Sequence, residues 1–327
     1  MAEESGGHAT TLGVRVEAAR REAAGVTSYV LTAPDGAELP RWSPGAHVDV
    51  HLPSGTVRQY SLCGDPADRR SYRIAVLEQP AGRGGSVEVH RELRPGAAVQ
   101  IGLPRSNFEL VPARRYVFVA GGIGITPVLP MIRQVAASGI EWELVYGART
   151  HGHFAFLGEL AAHGDRVRTV PQDTAGVIDL DKLARGAAGA AVFCCGPAPL
   201  MDALVDAMAA AGHAGQVHLE RFGPVATPVR DAAADDASGP EFVVELTRSG
   251  ITVPVPRDVS VLDAVRGAGV DIPSSCEMGI CGTCETTVLE GEVDHRDDLY
   301  TEAERATCGA MLVCVSRACG RKLVLDA

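Results

Sequence analysis

Four cysteines near the end of the chain have the spacing of a metal centre. Cys276, Cys281 and Cys284 form a C-x4-C-x2-C run in SSCEMGICGTC, and Cys314 follows after 29 further residues in MLVCVS. Thiolates hold iron–sulfur clusters, and this is the plant-type spacing for one [2Fe–2S] cluster. Three ligands within nine residues must converge on one side of a tight loop. Gly279 and Gly282 let backbone N–H groups approach the sulfurs, where hydrogen bonds stabilise an added electron. The fourth ligand is expected from a distant buried strand, the apolar MLVCV run. A structural zinc site usually shows two closely spaced cysteine pairs, whereas here a single cysteine returns after the gap. Cys308 and Cys319 are rivals for the fourth position. Cys308 falls in a helix and its following turn (TEAERATCGAM) and Cys319 in a turn, so Cys314 fits better.

A second constellation lies near the front. Arg58-Gln59-Tyr60-Ser61-Leu62 and, further on, Gly82-Arg83-Gly84-Gly85-Ser86 are each ordinary alone, as half-buried strand and as turn. Together they offer what a flavin mononucleotide needs. Arg58 can pair with the phosphate, and N–H groups of Gly84, Gly85 and Ser86 can form an anion nest. Tyr60 can lie against the isoalloxazine ring, while N–H groups of Ser61 and Leu62 can bind its polar edge.

The third constellation is in the middle. Tyr116-Val117-Phe118-Val119-Ala120 reads as a buried parallel strand and ends at Gly121-Gly122-Ile123-Gly124-Ile125-Thr126-Pro127, after which LPMIRQVAA has helical periodicity. A pyrophosphate sits on the free N–H groups of such a helix start. Neither the G-x-G-x-x-G fingerprint nor a P-loop is present. Two more strand ends support a nucleotide site. ELVYGAR runs into Arg149, placed to meet an adenosine ribose or phosphate, and AAVFCC runs into Cys195-Gly196-Pro197 before the helix PLMDALVDAMAAAG. No second basic residue follows Arg149 in HGHFAF to complete a 2′-phosphate clamp, so NADH is preferred over NADPH.

These residues need three kinds of scaffold. Residues 11–110 read as short strands broken by turns such as Pro34-Asp35-Gly36 and Arg94-Pro95-Gly96, the pattern of a closed antiparallel β-barrel. Residues 111–226 alternate strands with helices, which indicates a doubly wound parallel α/β sheet with ligands at the strands' C-terminal ends. Residues 227–240 (TPVRDAAADDASGP) read as a linker. Residues 241–327 begin with a hairpin (EFVVELTRSG, ITVPVPRD) and a helix (VSVLDAVRGAGV) before the cysteine loop.

The W-S-P-G-A-H-V run, RQYSL, GRGGS, GGIGITP and the Cys-Gly-Pro turn resemble the ferredoxin reductase superfamily, and their order with the cluster last resembles the phthalate dioxygenase reductase family. The resemblance covers nearly the whole chain after the first ten residues. It implies FMN rather than FAD, consistent with the lack of an aromatic-bearing insertion after GRGGS. It implies that the GGIGITP and Cys-Gly-Pro turns flank the nicotinamide, with Cys195 near its C4 atom and Thr126 between flavin and nicotinamide. An aromatic in the position of Phe222 covers the flavin face in that family. The last quarter resembles the α+β β-grasp ferredoxin fold. A nucleophilic role for Cys195 is not expected, since no activating His is evident nearby.

The net charge of −11 is uneven: residues from Glu241 onward hold 15 acids against 8 bases, net −7, leaving −4 for the first 240. That balance disfavours nucleic acid and suits docking on a basic redox partner. No apolar run nears the roughly 20 residues that span a bilayer, and MAEESGGHATT lacks the features of a signal peptide. An odd count of nine cysteines, four in a cluster pattern, points to a reducing cytoplasm. NADH gives up a two-electron hydride while a [2Fe–2S] cluster takes one electron at a time, and a flavin can do both. The reading is an oxidoreductase from NADH through FMN to the cluster. By the resemblance, the onward acceptor is the oxygenase component of a Rieske-type dioxygenase, an O-demethylase or a haem monooxygenase. The alternatives are a stand-alone reductase of a small molecule and a ferredoxin-type carrier.

Overall fold

The computed structural model describes residues 11–327 apart from 81–83, 223–240, 275, 276, 278, 280, 281, 298, 301 and 306. The linker expected at 227–240 and the expected ligands Cys276 and Cys281 lie outside the described residues.

Glycine and proline turns divide the front of the chain into β1 (Thr11–Ala23), β2 (Val26–Thr32), β3 (Ala46–His51), β4 (Val57–Ser61), β5 (Ser71–Leu77), β6 (Ala98–Gly102) and β7 (Arg105–Ser106), with helix α1 (Gly85–Glu92) between β5 and β6. The strands run antiparallel in the order β4-β3-β6-β1-β2-β5, and β7 pairs with β3. A bridge between Leu62 and Ile74 joins the two ends, so the sheet closes into the expected barrel. Alternate residues point inward, as the strand period requires: Val14, Val16, Tyr29, Leu31, Val48 and Val50 meet in its core. The Pro44-Gly45 turn admits only glycine, since Gly45 has φ +91° and a Cβ there would sit 1.8 Å from the Phe108 carbonyl oxygen.

Five parallel strands follow: β8 (Arg115–Gly121), β9 (Glu141–Ala148), β10 (Val167–Pro171), β11 (Ala191–Cys195) and β12 (Val217–Glu220), in the order β10-β9-β8-β11-β12. Helices α2 (Ile125–Ser138), α3 (Leu157–Leu160), α4 (Gln172–Ala175), α5 (Leu180–Gly186) and α6 (Ala198–Ala210) connect them. Both faces of the sheet are covered at its centre, which is why β8 and β11 read as unbroken apolar runs. Phe118, Ala120 and Phe193 pack with Ile125 and Leu129 of α2. Val117, Val119 and Val192 pack on the opposite face with Met201 and Leu204 of α6. Strand order reverses between β8 and β11, and the crevice at such a switch point is where open α/β sheets bind ligands. Helix α2 starts at Ile125, earlier than the LPMIRQVAA period suggests, because Pro127 is accommodated in a first turn that needs no intrahelical N–H donors.

Barrel and parallel sheet share one compact unit that ends at Arg221, and a second unit runs from Phe222 to the end. In the first, Ala23, Val26, Cys63 and Ala75 of the barrel join the core beneath α2. The second contains β13 (Phe242–Leu246), β14 (Ile251–Val255), α7 (Val261–Gly267), β15 (Glu285–Glu290), β16 (Val293–Asp294), β17 (Ala310–Leu312), β18 (Arg317–Ala318) and β19 (Lys322–Leu325). Its main sheet runs β14-β13-β19-β15-β17 with β13 and β19 parallel, and β16 pairs with β18 apart from it. Ser260 caps α7 by accepting the Asp263 N–H at 3.0 Å. Among the described residues no helix is long and apolar enough to cross a membrane.

Candidate cofactor sites

The front constellation converges on the start of α1. Gly84 takes a left-handed φ of +83° that opens the helix, so the N–H groups of Gly84, Gly85 and Ser86 gather at its N-terminus. The Arg58 side chain crosses directly over Gly85: a Cβ there would lie 2.6 Å from Arg58 Nε and 2.9 Å from its Cγ. Glycine at 85 is therefore what allows a guanidinium and a helix N-terminus to share one place, a combination suited to a phosphate. Ser86 uses its hydroxyl to accept the Gln79 N–H at 2.9 Å, which ties the turn to the end of β5.

Along β4 the ladder sorts the amides. The Leu62 N–H donates to the Ala46 carbonyl at 2.8 Å, so this amide is already paired and does not offer the second donor expected for the flavin edge. The reason is the antiparallel alternation: Ser61 faces His47 as a non-hydrogen-bonded pair, and its N–H points away from β3. Ser61 is 5% exposed and its hydroxyl has no partner among the described residues. Tyr60 is half-buried against the barrel core. The structure thus offers the Ser61 amide and hydroxyl, with Tyr60 and Arg58 on the same strand.

The two turns of the parallel sheet press together at the switch point. A Cβ on Gly124 would lie 2.1 Å from the Cys195 carbonyl oxygen, and one on Gly121 would lie 2.6 Å from Pro197 Cδ. A Cβ on Gly196 would lie 3.0 Å from Gly121. Three glycines therefore let two backbones meet where one side chain would part them. Thr126 is buried in the first turn of α2 and donates its hydroxyl to the Ile123 carbonyl at 2.9 Å, and Pro127 beside it is buried. Gly122 has φ +54°, and the Tyr146 hydroxyl donates to its carbonyl at 3.0 Å. Cys195 is fully buried and burial pushes its thiol well above the usual range, so it is no nucleophile. Arg149 is exposed just past β9, and its carbonyl accepts the Asp173 N–H at 3.1 Å. Phe222 opens the second unit and is 39% exposed.

In the cluster unit the β15–β17 ladder places two of the four cysteines. Glu285 pairs with Leu312, and the Val313 N–H donates to the Cys284 carbonyl at 3.4 Å, so Cys284 lies across from the residue that precedes Cys314, and both cysteines are buried. Cys314 sits in a turn beyond β17 and not on a strand, because N–H groups of Val315 and Ser316 fold back onto the Leu312 carbonyl at 3.2 and 3.0 Å. Cys308 lies past the opposite end of this ladder, where Val288 N–H meets the Gly309 carbonyl, and Cys319 is exposed. Gly279 and Gly282 have φ +75° and +74°, and a Cβ on Gly279 would meet Val315 Cγ2 at 2.6 Å. Residue types and backbone thus fit a cluster loop.

Sequence reasoning passed over several groups. Glu220, at the end of β12 and paired in register with Cys195, is half-buried as a residue, but its Oε2 is shielded from solvent and has no partner among the described residues, and this desolvation pushes its carboxyl up to about 8. His47 is buried, its Nε2 has no partner among the described residues, and its pKa is lowered to about 4, by burial first and then by the Arg105 charge. Asp173 comes beside Arg149 only through the fold. No local pattern marks any of them, since each is defined by a neighbouring strand.

A family model described as a 2Fe-2S iron-sulfur cluster binding domain matches residues 244–319, and an oxidoreductase NAD-binding domain matches residues 118–206. The phthalate dioxygenase reductase of Burkholderia cepacia is 39% identical over 96% of this chain and 97% of its own. A solved phthalate dioxygenase reductase, described as a modular structure for electron transfer from pyridine nucleotides to [2Fe-2S], superposes with TM-score 0.73 at 38% identity, over 97% of this chain and 98% of that one. An intact type IV self-sufficient cytochrome P450 monooxygenase superposes with TM-score 0.83 at 42% identity. It covers all of this chain, which spans 43% of that longer one. With near-complete coverage at this identity, the chain belongs to the phthalate dioxygenase reductase family of NAD-binding, [2Fe–2S] oxidoreductases, the reductase components of oxygenase systems.

Proposed function

We propose that the chain takes electrons from NADH and passes them through FMN to its [2Fe–2S] cluster and on to a separate oxygenase component in the cytoplasm. The observation that carries this is the contact of the Gly121–Pro127 turn with the Cys195-Gly196-Pro197 turn, in the same compact unit as the Arg58–Gly85 cradle. When bound, the flavin takes up a hydride and gives electrons back singly, which joins a two-electron donor to a one-electron acceptor.

The chain's residues then have separate tasks. Arg58 and the N–H groups of Gly84, Gly85 and Ser86 would hold the FMN phosphate at the start of α1, which runs on unbroken to Glu92 with no insertion to carry an adenine. Ser61 would meet the ring's polar edge with its amide and its unpartnered hydroxyl, and Tyr60 would lie along the ring. Gly121, Gly122, Gly124, Thr126 and Pro127 on one side, and Cys195, Gly196 and Pro197 on the other, would enclose the nicotinamide. Burial keeps the Cys195 sulfur protonated, so it shapes the pocket without reacting. Phe222 would cover the flavin face when nicotinamide is away. At the adenosine end, Asp173 beside Arg149 supports NADH, because a carboxylate accepts from a ribose 2′-hydroxyl and repels a 2′-phosphate. Cys276, Cys281, Cys284 and Cys314 would hold the cluster. The oxygenase partner, of the Rieske dioxygenase, O-demethylase or haem type, is supported by the names of the similar proteins and by the acidic balance of the last domain.

The test is the visible spectrum of purified protein, identification of the acid-released flavin and anaerobic titration with NADH. FMN release and bleaching of flavin and cluster are expected. Cys281→Ser is expected to remove the cluster absorption and keep NADH-to-dye reduction. Loss of dye reduction together with the cluster would overturn the order of carriers.

A further inference from the structure

One ion-pair network joins the barrel to the nucleotide domain inside the first unit. Arg73, on β5, donates to Glu159 Oε1 at 2.5 Å and Oε2 at 3.0 Å. Arg133, on α2, donates to the same Oε2 and to the Gly64 carbonyl, and reaches the Cys63 carbonyl at 3.1 Å. Arg73 also donates to the Cys63 carbonyl, at 2.8 Å. Glu159, on α3, is thus gripped by two guanidinium groups from different domains, and both also hold the backbone that follows Leu62.

The surroundings show that the arrangement is imposed and not incidental. Arg73 stacks over the Phe156 ring at 4.9 Å. Phe156 is buried and holds a left-handed φ of +62°, a conformation that a bulky residue keeps only where its surroundings over-determine it. Burial opposes ionisation of Glu159, yet the Arg73 hydrogen bond and the Arg73 and Arg133 charges outweigh it and hold the carboxyl below its usual range. The carboxylate is therefore charged at neutral pH, as a clamp requires.

Position decides what the clamp does. Cys63 and Gly64 directly continue the strand of Tyr60 and Ser61, and Arg133 belongs to the helix whose first turn carries Thr126 and Pro127. One carboxylate therefore ties the proposed flavin edge to the proposed nicotinamide turn. We propose that Glu159, with Arg73 and Arg133, is a positioning device that sets the distance between flavin ring and nicotinamide ring across the domain boundary. This rests on the electron path proposed above. None of the three residues touches a proposed cofactor contact atom, so their effect is on alignment.

The test compares Glu159→Gln with Glu159→Asp and Arg133→Lys in full-length protein. Glu159→Gln is expected to keep flavin and cluster absorption and reduction by dithionite. It is expected to slow flavin reduction at saturating NADH by about tenfold or more, as sub-ångström misalignment does, and to weaken the long-wavelength absorption of a nicotinamide stacked on the flavin. Its half-saturating NADH concentration should move much less, and Glu159→Asp should recover part of the rate. Should Glu159→Gln not fold, Arg133→Lys serves, because it keeps the charge and loses the simultaneous bonds to Glu159, Cys63 and Gly64. An unchanged rate and an unchanged band in whichever variant folds would overturn the clamp. Parent protein without flavin, or not bleached by NADH, would overturn the underlying electron path.

Discussion

Gly124→Ala isolates close approach from backbone conformation. Gly124 has φ −61°, which alanine adopts freely, so the substitution carries no conformational penalty. Its Cβ would however sit 2.1 Å from the Cys195 carbonyl oxygen, 2.4 Å from the carbonyl carbon and 2.7 Å from Gly196 N. Real Cβ atoms essentially never approach within 3.0 Å, so the two turns must separate by about 0.9 Å. They cannot relax separately. Thr126 is tied to Ile123, Gly122 to Tyr146, and Gly196 packs on Gly121, so the shift passes to the residues proposed to enclose the nicotinamide. Overpacking of this size costs about 1–3 kcal/mol of stability, and a misplacement near 1 Å costs about 100-fold in rate. Stopped-flow reduction of the bound flavin by NADH under anaerobic conditions measures it directly. Flavin and cluster spectra are expected to be retained while that rate falls by about 100-fold. Gly139→Ala, at the far end of α2 and outside the proposed site, is the control, since its Cβ meets nothing within 4 Å and only the left-handed φ is charged against it, about 1–2 kcal/mol. A Gly124→Ala protein that reduced its flavin within about threefold of the parent would refute the argument that this contact builds the pocket.

Two further outcomes follow from the geometry. Gly85→Val drives Arg58 off the start of α1, and loss of a charge-assisted bond worth about 1.5–3 kcal/mol should weaken FMN retention by about 10- to 100-fold in equilibrium dialysis; unchanged retention would remove Arg58 from the phosphate site. Glu220, raised to about 8 from 4.5, keeps its proton in the folded chain over a range where the unfolded chain releases it. The stability this contributes is full below 4.5 and is lost as pH rises toward 8, so thermal melts should show a decline across that window that Glu220→Gln abolishes. Parallel declines in parent and variant would mean that the carboxyl is not buried as described.

The parts of the fold that were legible in the sequence are those written in local period or turn chemistry. Alternation in β3 and β5, the unbroken apolar runs of β8 and β11, and the glycine turns after β8 and before α1 each show their backbone in a few consecutive residues. The cysteine spacing was legible for the same reason. Cys314 was placed on a strand because MLVCV is apolar throughout, but the period of a buried run does not tell a strand from the turn that ends it. The sequence shows that residue 62 is a leucine and not which edge of the ladder its N–H faces, so the expectation of a free amide there fails: the Ala46 carbonyl takes it. The glycines look alike in sequence and differ in cause. Gly122 needs a left-handed φ, Gly121, Gly124 and Gly196 have no room for a Cβ, and Gly279 has both causes.

Burial sets the ionisation of three side chains in this unit that sequence alone would misread. Cys195 would ordinarily be a thiol of moderate acidity, Glu220 an anion and His47 half-protonated near neutral pH. Desolvation disfavours the charged form of each, so it raises the two acids and lowers the base. At neutral pH Cys195 and His47 are uncharged and Glu220 is largely protonated. The arginines behave otherwise, because Arg73 meets Glu159 and Arg58 lies at a helix N-terminus suited to an anion. An uncharged Glu220 beside the Cys195 turn suits hydride transfer, which needs no proton from the protein and suffers when water is drawn in. An uncompensated charge buried there would draw in that water. A carboxylate forced to ionise at Glu220 would therefore act first on solvent access to the Cys195 turn, whereas charge at Glu159 acts on the alignment of two domains.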